Sequence, residues 1–511
     1  MGLSRFSHAH RSLGLIAFAM NFSVLCVIAF GLHRCLRHFD IARFAEYLSR
    51  PYARSIVGNS IAIGFWSACF SSITGSVLAF ALHRADFFFR KALFSIVRIP
   101  FVLPSIIIIV SLASVFGVSG IINSASGFLY SRRGIILTHA YYSFPLVFLS
   151  LCSALAQRKA DREESFRTLG ANRILTFLLI LLPSVLKTLV LCFMLSFFSA
   201  FFSFTIVMTF GGMKAGNIES EIYKTFSTGD MTAYSGLCML SVLFSVLFAI
   251  CSLMMQKVRK KEGSEMMFRV LPLASLPRSI AINCLAVAIG IAVLLPLFSI
   301  ISSSFLHAGR LSFSNYVSVL PFAPVIIKSV AFSLSVSVVS GLSVILLAAY
   351  SKRTGFNNPV VLFAGSLSGI VLSSALAAYP HLSLFLAHVL MTVPFSYYMI
   401  KGEYDAVKFS LIEGAMLVSS SDCLSIFYVE ISDLKHILPN VFAFSFALSF
   451  CDVTSTLLLS RGRFYTISML LYQAVSRYDF GLASALSVVI GLLIVLVYTI
   501  ACRATEAFYG R

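Results

Sequence analysis

Twelve stretches of mostly apolar residues follow one another along the chain, over 13–33, 56–82, 93–117, 134–156, 188–210, 233–255, 280–304, 325–350, 360–378, 381–400, 441–460 and 482–502. A helix needs about 20 such residues to cross the hydrocarbon core of a bilayer. The ninth and tenth runs are almost continuous, parted only by the turn signal Tyr379-Pro380. A soluble fold must keep its exterior wettable, whereas lipid solvates the apolar outer faces of a helical bundle. With 59% hydrophobic and 12% charged residues and a mean hydropathy of +0.93, the 511-residue chain has too little polar surface for a soluble exterior. The expected fold is therefore an all-α membrane protein of about 12 transmembrane helices.

The net charge of +19 does not point to nucleic acid. The basic residues sit in short connections between the apolar runs, and their bias places both termini on the cytoplasmic side. Segment 34–54 is the exception. It carries Arg34, Arg37, Arg43, Arg50 and Arg54 on a connection expected outside, where contact with lipid headgroups is the available account. The 11 cysteines form no CxxC pair, and most lie within apolar runs, so they read as small buried hydrophobes. Residues 1–12 are polar and basic ahead of a run long enough to span, which predicts a retained first helix. Phe87-Phe88-Phe89-Arg90-Lys91 joins aromatic to basic residues and reads as an interfacial anchor.

The chain repeats itself at an offset of 249 residues. His139 aligns with His388, Pro145 with Pro394, Glu164 with Glu413, Ser196-Phe197 with Ser445-Phe446, and IYKTFSTGD (222–230) with LYQAVSRYD (471–479). Coincidences of Leu or Phe mean little in so apolar a chain, but matched His, Pro, Glu and Asp carry weight. The reading is a first transmembrane half at 1–255, a basic cytoplasmic linker at 256–279 and a second half at 280–511. Six spans per half give the repeats one orientation, related by an axis along the membrane normal.

The loop after the fourth span holds Glu164, five residues, Gly170, nine residues, and then Ile180-Leu-Leu-Pro183. This pattern resembles the EAA loop of the permease subunits of ABC importers. The resemblance implies a type I ABC importer permease fold and a short cytoplasmic coupling helix that docks on an ATPase subunit. Residues 161–169 mix charge with Phe166 and Leu169, which suits an anchor with a polar rim. Gly170 permits a sharp turn, and Pro183 can open the next helix. The second copy keeps Glu413 and Ala415 but has Ser419 in place of the glycine and ends in Val429-Glu-Ile-Ser432. There is no G-x-x-x-x-G-K-[ST] and no Gly-Lys pair, so the chain is not expected to be an enzyme, and ATP and Mg belong to the partner ATPase.

Four stretches, 134–146, 209–226, 428–453 and 463–486, resemble fused two-half thiamine ABC permeases, which are close to fused iron(III) permeases. The implied partners are two copies of an ABC ATPase subunit, a periplasmic or lipid-anchored substrate-binding protein, and membrane lipid, in the cytoplasmic (inner) membrane. Thiamine, or a phosphorylated form of it, is the implied cargo, and iron(III) is the alternative. An ion-coupled secondary transporter would explain the spans but not the loop.

Within the spans, Asp452 is a carboxylate that must face either a watery pathway or a partner on a neighbouring helix. Thiamine's fixed positive charge makes it, with its repeat mate Ser203, the translocation-pathway candidate. His139 and His388 each precede a proline by six residues and read as helix-packing groups ahead of metal ligands. Asp230 and Asp479 are expected to cap helices, and Gly211-Gly212 to make a turn.

Overall fold

The computed structural model describes residues 25–26, 29–82, 85, 87–117, 120–122, 127–156, 166, 168–170, 172–212, 215–259, 276–307, 310–354, 365–377, 382–406, 434, 437–460, 462 and 464–509. Among the described residues the fold is all-α apart from a hairpin of two-residue strands, Leu306–His307 with Arg310–Leu311. After a helical stretch at 29–36 come α1 (Ile41–Ser49), α2 (Pro51–Leu82), α3 (Arg90–Val102), α4 (Ser105–Phe116), α5 (Arg132–Ala156), α6 (Leu182–Phe201), α7 (Thr205–Phe210), α8 (Ile218–Thr228) and α9 (Met231–Arg259). Then follow α10 (Leu276–Ser304), α11 (Ala323–Thr354), α12 (Gly369–Leu376), α13 (Ser383–Ala406), α14 (Leu438–Phe450), α15 (Thr454–Leu459), α16 (Ile467–Ser476) and α17 (Phe480–Tyr509). Among the described residues eight helical runs are long and apolar enough to cross a membrane, and the bent pair α3–α4 makes a ninth.

Among the described residues several expected spans differ from single straight helices. The third, expected over 93–117, turns by 107° between Val102 and Ser105. Leu103 precedes Pro104 and takes the extended conformation that a following proline ring imposes, ψ 142°, which ends α3. The fifth, expected over 188–210, begins earlier at Phe177, closes at Phe201 and resumes as α7. The eleventh, expected over 441–460, breaks at Cys451-Asp452-Val453 between α14 and α15. Backbone groups freed in a membrane need internal partners. At the fifth-span break, Asn217 Nδ2 donates to the carbonyl of Ser203 at 2.7 Å. At the eleventh, Ser468 Oγ donates to the carbonyl of Asp452 at 2.9 Å. Different residues thus satisfy the same orphan carbonyl in the two repeats.

Helix α2 shows how the sides of a span are chosen. Ser60, Gly64, Ser67, Ser71 and Gly75 recur at helical spacing and are buried. Trp66, Phe70, Ile73 and Val77 form the opposite, exposed stripe. Large residues face outward because lipid gives them nothing to escape, and small ones face inward because helix packing rewards close approach. A Cβ on Gly64 would meet the Phe197 ring at 3.0 Å, and one on Gly75 would meet Val147 Cβ at 2.6 Å.

Cα packing divides the chain into two compact units, each drawn from separated segments. One comprises 46–221 and 247–311. Its core gathers Leu82, Leu93, Val97, Phe148 and Leu151 with Ala286 and Val293 of α10. Tyr141 Oη donates to the carbonyl of Val293 at 2.7 Å, and Ser299 Oγ to that of Ser111 at 3.2 Å, tying α10 to α5 and α4. The other unit comprises 1–45, 222–246 and 312–511, with a core around Val344, Leu347, Tyr397, Ile400 and Val441 of α11, α13 and α14.

The repeat at 249 residues reappears as geometry. Ile218 N donates to Ser60 Oγ at 2.8 Å, and Ile467 N to Ser329 Oγ at 3.0 Å. Asp230 Oδ1 accepts from Ala233 N and Asp479 Oδ1 from Leu482 N, both at 3.1 Å, so both aspartates cap the helix that follows. The residue before each cap is left-handed, Gly229 at φ 80° and Tyr478 at φ 60°. Gly212, at φ 52°, makes the expected turn.

Candidate coupling loop and intramembrane polar cluster

Of the loop between the fourth and fifth spans, Glu164 lies outside the described residues, as do Glu413, Ala415 and Ser419 of the second copy. Phe166 is half-buried. Leu169 is 82% exposed, a large apolar side chain in a loop between two spans. Gly170 follows at φ 88°, a left-handed conformation. Among the described residues no atom stands within 4 Å of a Cβ built there, and the left-handed backbone is what favours glycine.

The next helix is launched by a residue that sequence reasoning missed. Asn172 Oδ1 accepts from Leu175 N at 2.7 Å, an N-cap that an Asn ahead of an apolar run could have signalled. The winding then runs through a π-helical turn, Phe177–Leu181, into α6. Leu182 N reaches back to the Phe177 carbonyl, and Pro183 stands in the first α-helical turn after it. Pro183 therefore opens the α-helical segment proper, while the helix as a whole starts a few residues earlier. A proline has no N–H to give, and a wider turn before it is a common accommodation.

The second group of candidates meets inside the second repeat. Asp452 Oδ2 accepts from Ser455 N at 2.9 Å, capping α15, and lies 3.4 Å from His388 Nε2 on α13. His388 Nδ1 is 2.9 Å from Ser449 Oγ, and Ser449 Oγ is 3.3 Å from Ser333 Oγ on α11. Thr456 Oγ1 lies 3.5 Å from His388 Nε2, and Phe332 packs its edge against the imidazole at a centroid distance of 5.1 Å. The Asp452 side chain is only 10% exposed. The carboxylate is thus held by a neighbouring helix and by its own helix start. Among the described residues no group of three or more His, Cys, Asp or Glu could hold a metal ion.

The first repeat has dismantled this network. At the offset of 249, Ser449, Asp452 and Thr456 become Ala200, Ser203 and Val207. His139 is 2% exposed and, among the described residues, neither ring nitrogen has a hydrogen-bond partner. Ser445 is bonded to Ser396 at 2.7 Å, whereas its mate Ser196 is orphaned because Ser396 corresponds to Val147. The structure therefore does not bring Ser203 together with Asp452; it places them at equivalent breaks of the two repeats.

Residues 71–260, which include the Glu164–Pro183 loop, match the family of the binding-protein-dependent transport system inner membrane component. The chain is 30% identical over 208 residues to a probable sulfate transport system permease protein, cysT, of Chlorella vulgaris, covering 39% of this chain and 78% of that one. It is 24% identical over 247 residues to the corresponding Helicosporidium protein, covering 47% and 90%. It is 27% identical over 214 residues to the molybdenum transport system permease protein ModB of Escherichia coli, covering 40% and 93%. Helical spans, a turn-bearing loop between the fourth and fifth of them, and this likeness agree: the chain belongs to the binding-protein-dependent transport system inner membrane components, multi-pass permeases of the inner membrane and not enzymes.

Proposed function

We propose that this chain is the translocating subunit of an ATP-driven importer, fused from two permease halves, 1–255 and 280–511, through the linker 256–279. The observation that carries the reading is the family match over 71–260 together with the exposed Leu169 and the left-handed Gly170 inside it. In this reading Glu164, Phe166, Leu169 and Gly170 form a coupling helix and its turn, and Pro183 stands in the first α-helical turn of the span that receives the motion. Glu413, Ala415 and Ser419 form the second, weaker contact. An exposed apolar anchor beside a rigid turn suits docking on a separate subunit. Two ABC ATPase copies bind ATP and Mg and drive the cycle, an external binding protein delivers the cargo, and the permease alternates its access. Both termini lie in the cytoplasm.

The cargo is thiamine in the first reading, supported by the resemblance of segments in both halves. A tetrahedral oxyanion is the second reading, favoured by the sulfate and molybdenum permeases among the relatives, each of which aligns with less than half of this chain. The contacts of Asp452 with His388 and Ser455 make a structural part for that carboxylate the stronger one, and any contact of Asp452 or Ser203 with a cationic cargo would be transient.

The test is ATP-driven uptake into proteoliposomes holding this chain, its ATPase and its binding protein, with labelled thiamine, sulfate, molybdate and iron(III) in parallel. Thiamine accumulation that stops without ATP supports the first reading. Accumulation of sulfate or molybdate instead selects the oxyanion. Uptake driven by an ion gradient without the ATPase would overturn the importer reading itself. Glu164→Ala with Gly170→Pro is expected to abolish co-purification of the ATPase while leaving the permease in the membrane.

A further inference from the structure

The basic connection that charge patterning left unexplained folds into a cavity. The stretch 29–36 ends in a turn at 37–38, so Arg34, Arg37 and His38, spaced i, i+3 and i+4, gather on one side of a helix end. They rim a cavity of about 310 Å³ whose floor includes Cys35, Tyr234 of α9 and Ser374 of α12. Cys35 Sγ lies 3.0 Å from Tyr234 Oη and 3.7 Å from Ser374 Oγ, and all three floor residues are buried.

The cavity is one-signed. Among the described residues no Asp or Glu lines it. The carboxylates nearest in sequence are engaged elsewhere. Asp40 accepts from Ala42 N at 2.9 Å and pairs with Arg43 at 3.6 Å, and Asp230 caps α9. Among the described residues neither Arg34 nor Arg37 makes an ion pair or a side-chain hydrogen bond. Two guanidinium forks and an imidazole facing one space, with the Tyr234 hydroxyl at its floor, are the complement of a tetrahedral oxyanion, which arginine grips in bidentate fashion. The location also fits. Arg34 follows the predicted first span and Met231, which also lines the cavity, begins a membrane-crossing helix, so the cavity stands at the level of lipid headgroups.

We propose that this cavity is an anion site for a phosphoryl- or sulfuryl-type oxyanion, gripped by Arg34, Arg37 and His38 and floored by Tyr234 and Ser374. The oxyanion can arrive free in solution or as the headgroup phosphate of an anionic lipid. The site does not depend on which cargo the permease carries.

Cys35 supplies the reporter. Its thiol lies beyond the predicted first span and is lowered from 9.0 to about 7, chiefly by a hydrogen bond from Cys238 and in smaller part by the charge of Arg34. It lines the cavity, so a bound anion would stand over it. The full chain, purified into nanodiscs, is labelled with N-ethylmaleimide, and the peptide bearing Cys35 is quantified by mass spectrometry while that bearing Cys69 serves as internal control.

In neutral phosphatidylcholine discs, phosphate or sulfate at millimolar concentration is expected to slow Cys35 labelling at least about fivefold, which identifies a free oxyanion. In phosphatidylglycerol discs without added anion, the same slowing identifies the lipid headgroup. Either result supports the site. Protection in neither disc, or equal protection in the Arg34→Gln/Arg37→Gln double variant, overturns it. The melting temperature is read in the same samples. A rise with phosphate in the wild type that the double variant lacks is the outcome required if Cys35 fails to react, and no rise then counts against the site. Unchanged Cys69 labelling and an unchanged elution profile show that the variant is folded.

Discussion

His139 and His388 occupy equivalent positions in two repeats, yet one is orphaned and the other sits among Ser449, Asp452 and Thr456. Identity at a single residue therefore does not set its role; the partners do. Leaving a buried polar group without its partner costs about 1–3 kcal/mol, whereas replacing an unpaired one by an apolar side chain is close to neutral. His388→Leu is expected to lower the melting temperature in detergent by that cost, because Asp452 loses its cross-helix neighbour. His139→Leu is expected to leave it unchanged or raise it, and Ala200→Ser, which restores the hydroxyl found at Ser449, to raise it. Equal losses for the two histidine variants would contradict the asymmetry. The sequence showed both histidines and the acid; it did not pair Asp452 with His388, because residues 64 apart in sequence meet only through the packing of α13 against the break between α14 and α15.

Helices in this protein end where a local backbone demand is met, and those demands repeat. The left-handed residue before each capping aspartate is Gly229 in one half and Tyr478 in the other. An L side chain at such a position costs about 1–2 kcal/mol, and nothing stands within 4 Å of a Cβ at Gly229. Gly229→Ala is thus expected to destabilise by about 1 kcal/mol through the backbone alone, with no change in helix content by circular dichroism. At Gly75 the demand is steric. Gly75→Leu must push α5 away through Val147 and is expected to cost about 1–3 kcal/mol or more, read as a lower melting temperature and weaker α2–α5 crosslinking. The two aspartate caps were legible as spacing. The breaks at Phe201 and Phe450 were not, since hydropathy runs through them and only the capping and carbonyl-satisfying contacts mark them.

Each compact unit draws on both sides of the linker. The unit holding 46–221 also holds 276–304, and the unit holding 312–511 also holds 222–246. A chain cut within 260–275 therefore divides both units. The two fragments expressed separately are each expected to aggregate or be degraded, and co-expressed fragments to co-purify through the helix pairs that cross the cut, such as α10 with α4 and α5. Stable, monodisperse fragments on their own would contradict this.

The hydrophobic runs by themselves determined that the chain is a multi-span helical membrane protein, because stretches so long and apolar have no other solvent than lipid. The spacing of glutamate, glycine and proline marked the loop after the fourth span, and the 249-residue offset marked the repeat, because turns and caps are local and leave local signatures. Only the tertiary structure decided that the third span folds back on itself and that Asp452 is held by His388. It alone brought Arg34, Arg37 and His38 over a floor of Tyr234 and Ser374. Those outcomes depend on which distant helices pack together, and in so apolar a chain many helix faces look alike until they are paired.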